Sequence, residues 1–144
     1  MKKMVFLIGI LFLVGCSSNN DRSPKDIYSS IERSVQLPAF IEMDEEYLTD
    51  YYNLDFSRIE DFVYVQNEDS LKVDTIIIIE TKDRDYVDFV KITLNNILEQ
   101  MRAETQSYSP ENYNIIKKSE VVVSGNLVYL VMSKDYDQIV KIIN

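Results

Sequence analysis

Four consecutive isoleucines, Ile76 to Ile79, set the strongest constraint on how this chain folds. Side chains alternate between the two faces of a strand, so an unbroken apolar run is buried on both faces. Such a strand belongs in the interior of a sheet covered on each side. Thr75 to Ile79 is therefore expected as an interior strand, with Lys72, Asp74, Glu80 and Lys82 flanking it as charged gatekeepers against aggregation. Phe62 to Gln66, β-branched and aromatic, is expected as a second strand. Val121-Val122-Val123 and Leu127 to Val131 flank Ser124-Gly125-Asn126, a hairpin pattern with a glycine available for positive φ. Together these predict an α+β fold with a four-stranded, mainly antiparallel sheet packed by helices.

The helices announce themselves by caps and periodicity. Ser23-Pro24 pairs an N-cap with proline at the first helical position, and Ile27, Ile31 and Val35 follow at helical spacing. Leu37-Pro38 ends that helix, because the residue before proline is pushed out of helical angles. Asp44-Glu45-Glu46 starts a second short helix with acids at its positive end, and Asp55 caps one more turn through Ile59. Asp83 is expected to cap a long helix whose apolar stripe is Tyr86, Phe89, Val90, Leu94, Ile97, Leu98 and Met101. Ser109-Pro110-Glu111 opens another short helix, and Asp135 to Ile143 closes the chain. Short N-terminal helices thus precede two strand-strand-helix stretches. Thr81-Lys82-Asp83 with Phe89-Val90-Lys91-Ile92 in the first resembles Ser133-Lys134-Asp135 with Ile139-Val140-Lys141-Ile142 in the second. Two ββα units sharing one sheet would explain the likeness, and so would ordinary capping and amphipathic patterning.

Ahead of this lies a different kind of segment. Met1-Lys2-Lys3 precedes the apolar run Met4 to Val14, the pattern of an export signal. A membrane-spanning helix needs about 20 apolar residues, more than this run offers. It ends in Leu13-Val14-Gly15-Cys16, which matches the bacterial lipobox. The expectation is a signal peptide over residues 1–15, a lipidated polar tether over 16–23, and a single α+β domain over 24–144. Cys16 would carry a diacylglyceryl thioether that holds the protein on the membrane, facing outside the cytoplasm. Each buried methylene contributes ~0.8 kcal/mol, which is why two acyl chains anchor where one holds only marginally.

Composition then narrows the chemistry. The chain has 15 Lys and Arg; less Lys2 and Lys3, 13 remain against 24 Asp and Glu, a net charge of −11 without the leader. Such a surface is expected to repel nucleic acid and anionic lipid headgroups, so that the lipid and not a basic patch does the anchoring and no nucleic-acid partner is expected. Cys16 is the only cysteine, and histidine and tryptophan are absent. A disulfide, a thiol nucleophile, a Ser-His-Asp triad and the usual zinc sites are thereby excluded from the domain. Gly125 is its one glycine, too few for a phosphate-cradling loop. No cofactor and no catalytic residue is expected.

Few constellations remain. Asp83, Asp85 and Asp88 lack the glycine and terminal glutamate of a calcium loop, and fit capping and the helix dipole better. Tyr47, Tyr51 and Tyr52 form either an exposed aromatic face or a seat for their helix on the core. In Tyr108-Ser109-Pro110-Glu111-Asn112-Tyr113, Tyr108, Pro110 and Tyr113 either make a contact site or pin the loop to the sheet.

The order and spacing of several pieces resemble a family of bacterial lipoproteins known as domain of unknown function 4358. They are Leu37-Pro38, the acidic start at Asp44 leading to Leu48 and Tyr51, Asp55, and Asp74-Thr75-Ile76. Tyr108-Ser109-Pro110-Glu111-Asn112-Tyr113 and Gly125-Asn126-Leu127-Val128-Tyr129 complete the set, so the likeness runs from Val35 to the end of the chain. The resemblance implies membership in a cell-surface group and supplies no catalytic or ligand residues. The functional expectation is a non-catalytic binding or accessory module engaging an envelope protein. The alternatives are a small-ligand carrier with a pocket between sheet and helices, and a carboxylate-based hydrolase.

Overall fold

In a computed structural model, which describes residues 22–144, the isoleucine run lies in the middle strand of the sheet. This strand, β3 (Thr75–Thr81), is flanked on one side by β2 (Ile59–Asn67) and on the other by β5 (Leu127–Met132). Beyond these lie β1 (Phe40–Glu42) and β4 (Val121–Ser124), in the order β1-β2-β3-β5-β4. Every pairing is antiparallel. The sheet thus has five strands, not the expected four.

The additional strand is β1, whose Phe40 stands opposite Asn67 and whose Glu42 stands opposite Val65. Three residues are too few for an alternating pattern to register in sequence. What creates the strand is its neighbour: β2 runs past the expected Gln66, and the extended chain leaving Leu37-Pro38 pairs along its open edge. An edge strand this short offers little template for pairing with another chain.

The helices are α1 (Pro24–Ser34), α2 (Glu45–Tyr52), α3 (Val87–Tyr108), α4 (Pro110–Ile116) and α5 (Tyr136–Ile143). They form two layers, and the isoleucines divide between them. Ile77 and Ile79 join Tyr64, Val128 and Leu130 under α2, α3 and α4, where Leu48, Leu94 and Ile116 are fully enclosed. Ile76 and Ile78 join Val65, Tyr129 and Val131 against Ile27 and Ile31 of α1 and Ile139 and Ile143 of α5. Both faces of the sheet are therefore covered, as the unbroken run requires.

This division overturns the reading as two equivalent ββα units. The order strand-strand-helix does occur twice, but α3 and α5 lie on opposite faces of the sheet. A two-fold rotation that exchanges antiparallel β3 and β5 would leave both helices on one face. The likeness is one of amphipathic patterning, since neither Asp83 nor Asp135 makes a side-chain cap bond.

The caps themselves mostly follow the sequence. Ser23, Asp44 and Ser109 accept from the backbone N–H of Asp26, Tyr47 and Asn112 at 3.2, 2.9 and 3.3 Å. Asp55 caps the short turn Phe56–Arg58 through the Ser57 N–H at 2.9 Å. Asp83 departs from expectation: it makes no side-chain cap bond, and its carboxylate lies 4.0 Å from Arg58 instead. Gly125 has φ of +62° in the β4–β5 turn, the left-handed conformation its lack of a Cβ permits. Among the described residues no helix is long and apolar enough to cross a membrane.

Candidate functional site

Cys16 lies outside the described residues, as do the expected signal peptide and most of the tether. Tyr108, Pro110 and Tyr113 lie at one end of the sheet. There β2 ends, β3 begins and β5 ends, and α4 closes over the loop between β2 and β3. Ser109 ends α3 and caps α4 at once, which fixes the corner between them. The buried Asn112 then donates from its side chain to the Leu71 carbonyl at 2.8 Å, so α4 holds the β2–β3 loop.

On this corner Tyr108 is 90 % exposed and touches no other ring among the described residues, so it does not pin the loop to the sheet. Pro110 is exposed at the first position of α4, and Tyr113 is half-buried. The three expected contact residues therefore divide, with Tyr113 half-buried and Tyr108 and Pro110 in solvent. Leu71, which sequence reasoning missed, is 78 % exposed on the loop that α4 holds.

The tyrosines of α2 also divide. Tyr47 and Tyr52 pack against the core beneath α3, and the Tyr52 and Tyr64 hydroxyls lie 3.5 Å apart. Burial, followed by the hydrogen bond to Tyr52, pushes the Tyr47 phenol up to about 12. Burial raises Tyr64 as well. Tyr51 stays in solvent with its ring 4.5 Å from that of Tyr47. Seating the helix is thus the role of Tyr47 and Tyr52.

Beside the Tyr108 corner is a groove of about 820 Å³. Lys72, Lys117, Lys118 and Lys134 line it, arriving from the β2–β3 loop, the α4–β4 link and the end of β5. Its acids are Asp74 and Glu111. Glu111 faces Lys72 at 3.5 Å, and Asp74 is buried and accepts from the Asn67 side chain at 3.1 Å. Lys134 stands 3.8 Å from Asp135. Lys117 and Lys118 make no salt bridge among the described residues. Leu37, Pro38 and Ile115 add an apolar component. This groove lies at the end of the sheet, not between sheet and helices where a carrier pocket was expected. The adjacent pair Lys117-Lys118 in an acidic chain was the available sequence signal for it.

A second cleft, of about 580 Å³, is mainly acidic, with Glu32, Glu42, Asp44 and Glu45 around Tyr28 and Lys25 as its one cation among the described residues. Burial first, then the charges of Glu32 and Glu42, push the Tyr28 phenol up to about 12. Among the described residues no three His, Cys, Asp or Glu side chains are placed to hold a metal ion. Asp85 pairs with Arg58 at 2.5 Å, which gives it a structural role.

A family model described as domain of unknown function (DUF4358) matches residues 33–133. The chain belongs to this family. The part matching DUF4358 holds the whole sheet with α2, α3 and α4, the Tyr108 corner and the lysine groove except Lys134. Most of α1 and all of α5 lie outside it. No curated protein and no solved structure matches the chain.

Proposed function

We propose that this protein is a lipid-anchored, non-catalytic binding module outside the cytoplasm, which engages an envelope protein through the corner carrying Tyr108 and Leu71. The observation behind this reading is that two large apolar side chains, 90 % and 78 % exposed, stand on backbone held by internal bonds. The Ser109 cap fixes one and the Asn112 side chain the other. An aromatic presented this way brings contact area at little cost in side-chain entropy. The lipobox at Leu13-Val14-Gly15-Cys16 supports the anchor, and the absence of histidine and of a second cysteine supports a non-catalytic role.

A photocrosslinking residue at Tyr108, used in cells with Cys16→Ser as the unanchored control, tests the reading. One reproducible protein adduct is expected, absent when the probe is moved to the exposed Lys91 of α3. The double variant Tyr108→Ser/Leu71→Ser should keep the melting temperature and weaken capture at least about tenfold. A clear fall in melting temperature with capture unchanged would make these residues structural and refute the contact.

A further inference from the structure

We infer that the lysine groove is a binding site for a phosphate-bearing ligand. Charge supplies the first argument. The chain as a whole carries −9, yet four lysines surround one concavity that holds only two acids. Both lining acids are already engaged, Glu111 by Lys72 and Asp74 by the Asn67 amide, and Lys134 has Asp135 at 3.8 Å. Lys117 and Lys118 are left without a salt-bridge partner among the described residues, although the chain has 24 acids to 15 bases. Gathered ammonium groups repel one another, and an anion in the groove relieves that repulsion while a surrounding negative surface excludes casual counter-ions.

The kind of anion follows from the donors. Every cation lining the groove is a lysine, a point charge with three rotatable donors, and arginine's planar fork for carboxylates is missing. The ammonium groups approach from three separate segments of chain. A tetrahedral phosphate, with oxygens pointing in several directions, suits such an arrangement better than a flat carboxylate. Asn114 adds an amide, and Leu37, Pro38 and Ile115 can take an apolar or carbon portion of the same molecule. A free phosphate ester and a phospholipid headgroup share this chemistry. The inference does not rest on the Tyr108 contact, which lies outside the groove lining.

Calorimetry on the full chain in a neutral detergent tests it, with Lys117→Glu/Lys118→Glu as the variant, since both side chains are exposed and bear no ion pair to lose. Inorganic pyrophosphate and glycerol phosphate probe the free source. Short-chain phosphatidylglycerol against the matching phosphatidylcholine probes the headgroup. Saturable binding of any phosphate titrant, except phosphatidylcholine alone, that weakens at least about tenfold in the variant supports the site. Which titrant binds identifies the source. Absence of saturable binding, or binding equal in variant and parent, overturns the proposal, as does citrate binding tighter than pyrophosphate.

Discussion

Glu80 shows how a single residue can work against the fold that holds it. It stands directly opposite Asp61 across the β2–β3 ladder, where side chains share a face, and Glu60 is adjacent to that pair. Burial first, and then the charges of Glu60 and Asp61, raise its carboxyl above the usual value. A group whose folded pKa is raised favours folding in its protonated form. Its stability contribution is therefore present in acid and lost as pH rises through the folded pKa. The Glu80 side chain makes no hydrogen bond or ion pair among the described residues, while Asp61 has Lys25 at 3.0 Å, so neutralising Glu80 orphans nothing. Glu80→Gln should raise stability near neutral pH by up to about 1 kcal/mol, as expected for removing a like-charge pair across strands. Urea midpoints compared at about pH 7 and about pH 3 check this, because the gain should vanish once the parent glutamate is protonated. A gain equal at both pH values would point to packing instead.

Among the elements, α4 is the short one on which the candidate site depends. Its seven residues would be marginal alone, and its first turn relies on Ser109 and on Pro110, whose fixed φ suits the first helical position. Ser109→Ala should lower stability by about 1 kcal/mol, Ser109→Asp should restore it, and Ser109→Gly should cost only a few tenths. Thermal denaturation of the three variants reads the order directly. An alanine variant as stable as the parent would mean that Asn112 and Ile116 hold α4 without its cap. Elements like this one, marked by cap and proline, were legible in the sequence because the signal is local. So was β3, because four isoleucines leave it no exposed face. β1 was not legible: pairing with the far end of β2 makes it a strand, and three residues carry no period. Asp83 matched a cap and was drawn to Arg58, a tertiary contact that local spacing cannot disclose. The lysine groove failed for the same reason, since Lys72, Lys117-Lys118 and Lys134 meet only once β2, α4 and β5 end side by side. Leu71 was unreadable in a third way, because an apolar residue is ordinarily evidence for a core. Tyr108 was legible as a contact candidate, and only its exposure decided between contact and support.

At the scale of the whole molecule, the two layers are joined through β3, because consecutive isoleucines anchor opposite faces. Exposing Ile77 and Ile79 by lifting α3 removes support from the strand that also carries Ile76 and Ile78 under α1 and α5. The ends are tied as well: Arg22 donates to the Ile142 and Ile143 carbonyls, and the Gln138 side chain donates to the Ser34 carbonyl. Loss of either layer should therefore unfold both in one transition. The tyrosines provide a way to see it, because Tyr47 packs in the α3 layer and Tyr28 in the α1 layer. Both are pushed from 10.0 up to about 12. Between those values the unfolded chain releases phenolic protons that the folded chain keeps, so stability falls as pH rises through that interval. Phenolate absorbance should show tyrosines that titrate late, and helical circular dichroism should be lost over the same pH range as these half-buried phenols ionise. Helix loss in two separated steps, one per layer, would show that β3 does not couple the faces. A single ionisation class near the ordinary phenol value, with the fold intact, would show that Tyr28 and Tyr47 are open to water.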